Sequence, residues 1–421
     1  MRIAFFVWEY PPSLVGGLGT YAEYITKEYV KMGHEVHVFT LNRGEPEHSL
    51  LEGVQVYRPK IVDATKVFPP IVSDELKKWG IALKTFSDIF TYNLISANMM
   101  TFEMMGSREY KYDLVTGHDW LGAPAGIIAK NNASIPFVFH VHSTEWGRSG
   151  GGGSQVVTQI EETARDEADR IITVSHAMRD DLAQHGWPES KISVVWNGVD
   201  PELYDPERYP RAEWHAIREK YGIKDDEIMI LFVGRLTWVK GVRNLIQAMP
   251  QVLREHPNAK LIVLGKGEEQ RDLMELASRL NVENHVIYRF DFVEEHERIL
   301  HYAASDLCVF PSTYEPFGIV SLEAMSMAKP VVVGAHGVVG FREQVIPNGP
   351  DQCGFHINGN DPNDIAWGIN AALANPQQLK VLGENGRKRV LNYFTWDKVA
   401  RQTADIYQSL LKRESSGLDG I

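Results

Sequence analysis

The chain has 421 residues, 44% of them hydrophobic and 23% charged, the make-up of a globular protein with room for more than one core. Lys+Arg 43 against Asp+Glu 55 leaves a net charge of −12, and no basic run is long enough to track a phosphate backbone, so nucleic acid is excluded as an expected partner. Cys308 and Cys353 lie outside any CxxC pattern, which predicts neither structural zinc nor a disulfide and suits a reducing, cytoplasmic setting.

The N-terminal "MRIAFFVWEY" has one basic residue and an apolar stretch interrupted by Glu9, so it reads as a strand and not as a signal peptide. From there short β-branched or aromatic runs alternate with amphipathic stretches. "RIAFFVW", "EVHVFTL", "VQVYRP", "DLVTGHD", "FVFHVH", "RIITVS" and "ISVVW" belong to the first half, and "IMILFVG", "KLIVLG", "HVIYRF", "DLCVF" and "PVVVGA" to the second. Strands this apolar, separated by helices, are buried on both faces, which predicts parallel sheets with right-handed crossovers. They are too many for one sheet. Residues 89 to 105, "IFTYNLISANMMTFEMM", are the most apolar stretch, but no window reaches the ~18 apolar residues of a membrane span. Asn93, Asn98 and Glu103 within it predict a buried helix.

The break falls at "WNGVDPELYDPERYP", residues 196 to 210, where three prolines follow a strand and precede a new helix. The expected fold class is α/β: two doubly wound, Rossmann-like domains, residues 1–198 and 199–394, facing across a cleft. The amphipathic "FTWDKVARQTADIYQSLLKR" follows, a helix over about 395–413 that returns to the first domain. The tail "ESSGLDGI" is expected to be disordered, and "GRSGGGGS" (147–154) to be a flexible glycine loop. In such sheets ligands sit beyond the carboxyl ends of the strands, so the cleft is the expected site.

Three loops after strands carry chemistry. "EYPPSLVGGLGTY" places Gly16, Gly17 and Gly19 at a helix start, where backbone amides approach a phosphate or sugar closely. A dinucleotide fold is the competing reading, but the G-x-G-x-x-G spacing is absent, and no acid ends the second strand to hold a ribose. "FVGRLTWVKG" carries Arg235 and Lys240, able to converge on a diphosphate as fork and point charge. Two basic residues on a loop are otherwise simply solvated. "STYEPFGIVSLEAM" sets Glu315 in a turn and Glu323 eight positions on, inside a helix. Pro316 and Gly318 make the turn, so the amides of Phe317 to Val320 form an anion-receiving helix N-terminus. Carboxylates beside it would repel phosphate and should face hydroxyls: Glu323 a ribose, Glu315 a sugar. The bland reading of Glu323 is a surface cap or pair. There is no D-x-D, which agrees with a metal-free site.

"EPFGIVSLE" as an E-x7-E element, with "GRLTWVKG", "GGLGTY", "HDW" (118–120) and "HSTEWGR" (142–148), resembles the retaining GT-B glycosyltransferases of family GT4 over essentially the whole chain. The short archaeal glycogen or starch synthase-like members are the nearest in kind, sucrose-phosphate synthases more loosely so. The resemblance implies a nucleotide-sugar donor, with no metal or other cofactor, and a carbohydrate acceptor. By it, residues 1–198 bind the acceptor and 199–394 the donor. Arg235 and Lys240 hold the diphosphate with amides near Gly318 and Ile319. Glu323 takes the ribose, Glu315 lies near the transferred sugar, and Gly17 approaches the donor phosphates. His142 contacts the sugar and its carbonyl supports the anomeric carbon. His118 and Asp119 line the acceptor side. One departure is Leu14, which stands where bacterial glycogen synthases carry the lysine of "KTGGL".

The implied reaction moves glucose to an acceptor hydroxyl with retention. Arg148 beside the glycine loop would favour a sugar-phosphate acceptor; a glucan would need aromatics such as Trp120 and Trp146. A nucleotide-sugar epimerase, a non-catalytic sugar-binding module and a pyridoxal-dependent phosphorylase are the other classes; the last lacks a persuasive cofactor lysine. Donor base, acceptor and oligomeric state stay open at this stage.

Overall fold

The structure, a computed structural model, describes residues 1–14, 16–69, 72–107, 110–291 and 293–418, with side chains to residue 412. The chain divides into two compact units. The first is Met1–Val174, Arg179–Trp196 and Trp396–Ile421; the second is Ser175–Met178 and Asn197–Thr395.

Among the described residues, the first unit is built on an eight-stranded sheet in the order β3-β4-β2-β1-β5-β6-β7-β8. The strands are β1 (Arg2–Phe6), β2 (Glu35–Phe39), β3 (His48–Leu51), β4 (Val54–Tyr57), β5 (Leu114–His118), β6 (Phe137–Val141), β7 (Arg170–Thr173) and β8 (Ile192–Val194). All neighbours pair in parallel except β3 with β4. Ile3, Ala4, Phe5 and Phe6 have no exposed surface, which is the two-sided burial that their unbroken apolar run requires. β3 escaped the sequence reading because "HSLL" is half polar and lies at the edge. It is tied to β4 by Glu52–Gly53, whose φ values of 48° and 86° are those of a two-residue hairpin turn.

The helix Ala82–Asn98 continues into a π-helical turn, Met99–Met104. Its Asn93 is buried and serves the neighbouring helix Asp119–Ala133, which contains Pro124. The Asn93 amide donates to Leu121 O at 2.8 Å, and its oxygen accepts from Ala125 N at 2.9 Å. One side chain thereby satisfies backbone groups beside the proline, where regular helix bonding is disturbed. No helix among the described residues is long and apolar enough to cross a membrane.

The last helix, Trp396–Leu418, packs on the helix Gly17–Lys31. Trp396 stacks on Tyr24 at 5.6 Å between centroids, and Tyr407 OH meets His140 Nε2 at 2.7 Å. The expected disorder from Glu414 onward is corrected as far as Leu418, which is still helical backbone; 419–421 lie outside the described residues.

The second unit holds a six-stranded sheet in the order β11-β10-β9-β12-β13-β14, all parallel. Its strands are β9 (Ile228–Val233), β10 (Ala259–Leu264), β11 (Val286–Arg289), β12 (Leu307–Phe310), β13 (Val331–Gly334) and β14 (Gly354–Ile357). The helix Val242–Glu255 shows how the layers close: Val242, Leu245, Ile246, Met249 and Val252 form a buried stripe at helical spacing. Cys308 and Cys353 are both free and buried.

Both sheets reverse their strand order at one point, between β1 and β5 in the first and between β9 and β12 in the second. The loops leaving those four strands are therefore where each sheet can present residues to a ligand.

Candidate active site

In the second unit, β9 ends at Val233 and the chain turns through Gly234 and Arg235 into a short 3-10 turn, Trp238–Lys240. Arg235 is exposed, while the Lys240 ammonium forms an ion pair with the Glu315 carboxylate from the loop after β12. Thr313 N also donates to Val239 O at 2.8 Å, so backbone and side chains both tie the two loops. Glu315 is further fixed by Ser312 Oγ at 3.3 Å.

Gly318 has φ 87° and precedes the helix Ile319–Ser326, whose N-terminus carries no side-chain cap. A Cβ at Gly318 would lie 2.1 Å from Phe341 and 2.9 Å from Glu315 Cγ, so glycine is required for both conformation and space. The uncapped amides keep the anion-receiving character read from the sequence.

Glu323, one turn into that helix, is buried and pointed at three donors. Oε1 accepts from Tyr204 OH at 3.0 Å and Arg298 Nη2 at 3.3 Å, and Oε2 from Tyr302 OH at 2.7 Å. Glu323 is thus neither a surface cap nor a solvated pair. Burial pushes both tyrosine hydroxyls up, with Glu323 adding to the effect, and the carboxylate and phenol oxygens outweigh desolvation to hold Arg298 charged.

In the first unit, Gly17 opens the helix Gly17–Lys31 after the loop from β1. The Glu9 carboxylate, itself buried, accepts from Gly16 N and Gly19 N, each at 3.1 Å. At the end of β5, His118 has no exposed surface, a correction to the expectation that it lines the acceptor side. Phe5 stacks on it at 4.0 Å; its Nε2 meets Thr116 Oγ1 and its Nδ1 meets His142 Nε2, both at 3.2 Å. Asp119, also buried, adopts φ 51°, a costly conformation for this residue. Its Oδ1 accepts from His142 N at 2.7 Å and Ser143 N at 3.2 Å. Asp119 therefore holds the chain just past the end of β6.

His142 is half-buried and keeps some surface. Burial depresses the pKa of His142, and more strongly those of His118 and His140, where the neighbouring imidazoles add to the effect. Ring nitrogens of the three lie within 4.8 Å of one another, the composition of a metal triad. Each ring already has partners, however: His118 and His142 bond to one another, and His140 Nδ1 and Nε2 face Tyr21 OH at 3.4 Å and Tyr407 OH at 2.7 Å. The cluster is a hydrogen-bonded stack of imidazoles whose burial favours the neutral form, and it orients His142.

Arg148 is not free for a phosphate. It donates to Ser143 Oγ and to Glu145 Oε2 at 3.1 Å, and lies 3.8 Å from Glu161 Oε1. Trp120 packs against Phe86, and Trp146 donates to Asp181 at 2.9 Å while stacking on His185, so both are framework aromatics.

Sequence reasoning missed Glu9, His140, Glu161, Tyr204, Arg298 and Tyr302. Arg298 and Tyr302, four apart on one helix, carried a weak signal; Glu9 is reached only because the loop after β1 folds back on it, and His140, Glu161 and Tyr204 meet partners from other elements. A cavity of about 270 Å³ lined by Arg211, Trp214, Arg218, Asp306 and Lys329 lies at the amino ends of the central strands β9 and β12, away from the loops that leave them. Arg218 and Lys329 donate there to the carbonyls of Ala303, Ala304 and Ser305, closing a helix C-terminus.

Residues 15–203 match the family model "Glycosyltransferase Family 4" and residues 215–389 the model "Glycosyl transferases group 1". An uncharacterized glycosyltransferase of Methanocaldococcus jannaschii is 34% identical over 97% of this chain and 98% of its own length. Glycogen synthase of Mycobacterium tuberculosis is 30% identical over 98% and 96%. Sucrose-phosphate synthase from Thermosynechococcus elongatus has the same fold, with TM-score 0.77 at 23% identity, covering 98% of this chain and 99% of that one. Anabaena HepE, solved with UDP and glucose, has TM-score 0.73 at 23% identity over 97% and 100%. The chain belongs to the family GT4 glycosyltransferases, built on the GT-B fold of two Rossmann-like domains.

Proposed function

We propose that this glycosyltransferase moves a hexose, glucose in the first place, from a nucleoside diphosphate sugar to a hydroxyl of an α-glucan, with retention and without a metal ion. The observation that carries the reading is the Lys240–Glu315 tie between the loops of β9 and β12, with Arg235 on the first loop and the uncapped helix start at Ile319 after the second. These groups bring two cations and free helix amides to the loops at a switch point of the sheet, where a diphosphate is expected. The glycogen synthase relative supports glucan and glucose, and the UDP and glucose held by HepE support the donor class.

In this mechanism the bond between the anomeric carbon and the diphosphate oxygen breaks, and charge grows on the leaving group. Arg235 and Lys240 stabilise that charge more in the transition state than in the ground state. Lys240 exchanges its resting partner Glu315 for the diphosphate, which leaves Glu315 to accept from hydroxyls of the transferred sugar. Glu323, preset by Tyr204, Tyr302 and Arg298, takes the ribose. The acceptor oxygen attacks from the face that the diphosphate leaves, and its proton passes to the departing phosphate oxygen. Asp119 fixes the backbone at His142, whose carbonyl supports the cationic anomeric carbon.

A donor-by-acceptor screen tests this: ADP-glucose, UDP-glucose and GDP-mannose against glycogen, fructose 6-phosphate and lipid acceptors, read as release of nucleoside diphosphate. Release with a glucose donor that depends on glycogen is the expected result. Dependence on fructose 6-phosphate would mark a sucrose-phosphate synthase-like enzyme, and dependence on a lipid another GT4 transfer. An epimerase would convert the donor with no label reaching a second sugar.

A further inference from the structure

Asp119 fixes the backbone at His142 but leaves its ring alone. Oδ1 is taken by the amides of His142 and Ser143, and Oδ2 accepts from the Ser143 hydroxyl at 3.5 Å. Other groups hold the imidazole. Tyr21 stands edge-on to it at 4.5 Å between centroids, and His118 Nδ1 lies 3.2 Å from its Nε2. His142 Nδ1 makes no hydrogen bond among the described residues, and the residue keeps some exposed surface, so this nitrogen is the one left for a ligand.

Which ring nitrogen of His142 carries the proton depends on a residue two steps away. Burial favours neutral His118, which donates from one ring nitrogen and accepts at the other. Phe5 at 4.0 Å and His140 at 4.5 Å stack on this ring and hold its orientation. Its Nε2 faces Thr116 Oγ1 at 3.2 Å, and Thr116 has no exposed surface. The Thr116 hydroxyl has one proton to donate and, among the described residues, no other acceptor in reach. If it accepted from His118, its own proton would be buried without a partner, which is costly. Thr116 therefore donates to His118 Nε2. His118 in turn carries its proton on Nδ1 and donates to His142 Nε2, which leaves the proton of neutral His142 on Nδ1.

We propose that Thr116 and His118 are positioning residues that fix His142 as the Nδ1–H tautomer, making it a hydrogen-bond donor to a hydroxyl of the transferred sugar and barring it from acting as a general base. Nδ1 already holds a proton, and Nε2 can take one only by breaking its bond from His118. The acceptor proton is thus left to the departing phosphate oxygen. The proposal rests on the reading that a sugar is transferred at His142, and it gives a role to two buried residues that touch neither substrate.

Proton–nitrogen NMR correlation across the imidazole rings of the full chain, made with isotope-labelled histidine, reads the tautomer without any turnover. His142 is assigned by the signals missing in His142→Gln. The wild type is expected to show His142 protonated on Nδ1 alone. Thr116→Val keeps the shape of the side chain but removes the hydroxyl proton, so the bond between His118 and His142 is free to reverse. The His142 signals should then move toward the Nε2–H form. With a glucose donor and glycogen, kcat should fall about threefold or more while KM for the donor stays within about twofold. Thr116→Ser should behave as the wild type. A wild-type His142 protonated on Nε2 overturns the proposal. So does an unmoved tautomer in Thr116→Val, whatever its kcat, because packing alone would then explain any loss. A shifted tautomer with unchanged kcat removes the catalytic half. If no pairing of donor and acceptor turns over, the functional reading fails while the rings still report the tautomer. Should Thr116→Val not fold, the wild-type tautomer decides.

Discussion

Glu315 and Glu323 are eight residues apart, and the structure gives them different surroundings. Glu315 is paired with one cation, Lys240, whereas Glu323 is locked among Tyr204, Tyr302 and Arg298. The difference follows from position: one lies in the loop, the other on the inner face of the helix. Replacing Glu323 by alanine leaves two phenols and a guanidinium buried without their acceptor. Chemical denaturation should show a loss of about 3–5 kcal/mol.

The three histidines give a second prediction at this scale. Their folded pKa values are depressed, so the unfolded chain takes up protons first as pH falls. Their contribution to stability is complete above about pH 6.5 and is lost progressively below it. Histidine NMR signals of His118 and His140 should stay in the neutral form from pH 8 to pH 6. Glu161 behaves in the opposite sense. Burial outweighs Arg148 and raises its pKa to about 8, so its stabilising contribution is full below about pH 4.5 and disappears as pH rises through about 8. Glu161→Gln should remove that slope and raise Tm at pH 8 by a few degrees.

At the scale of elements, Gly318 is the position where a loop and a helix share one atom's worth of space. Gly318→Ala brings both φ strain and overlap with Phe341, a cost of about 3 kcal/mol or more. The expected readout is a Tm lower by about 5–10 °C together with weaker donor binding. The last helix is the other decisive element. Ending the chain at Thr395 removes Trp396 from Tyr24 and Tyr407 from His140, and exposes the apolar face of the helix Gly17–Lys31. Such a truncation should aggregate or lose cooperative melting, as seen by light scattering and calorimetry.

These elements also show what the sequence could tell. Twelve apolar runs announced their strands because parallel strands need two buried faces. β3 and β14, "HSLL" and "GFHI", were missed because edge strands are half polar. Arg235, Lys240, Glu315 and Glu323 were legible because they sit in loops or helix starts directly after strands, where local spacing fixes placement. Glu9 on Gly19, Arg298 on Glu323 and Glu161 beside Arg148 were not, since each depends on how the chain returns to itself. Hence His118, Asp119 and Arg148, expected to face an acceptor, are instead engaged by His142, by the amides of His142 and Ser143, and by Glu145.

For the molecule as a whole, the account places all diphosphate charge on protein cations and helix amides. Turnover should therefore survive EDTA within about twofold, measured as nucleoside diphosphate release; loss on chelation and recovery with zinc would redirect attention to the three histidines. The most direct test of the central claim is the steady-state kcat of Arg235→Ala and Lys240→Ala with a labelled glucose donor and glycogen, alongside a check of folding. The account predicts that each folded variant loses about 10²-fold or more in kcat. A folded variant of either kind with near-normal kcat would contradict it.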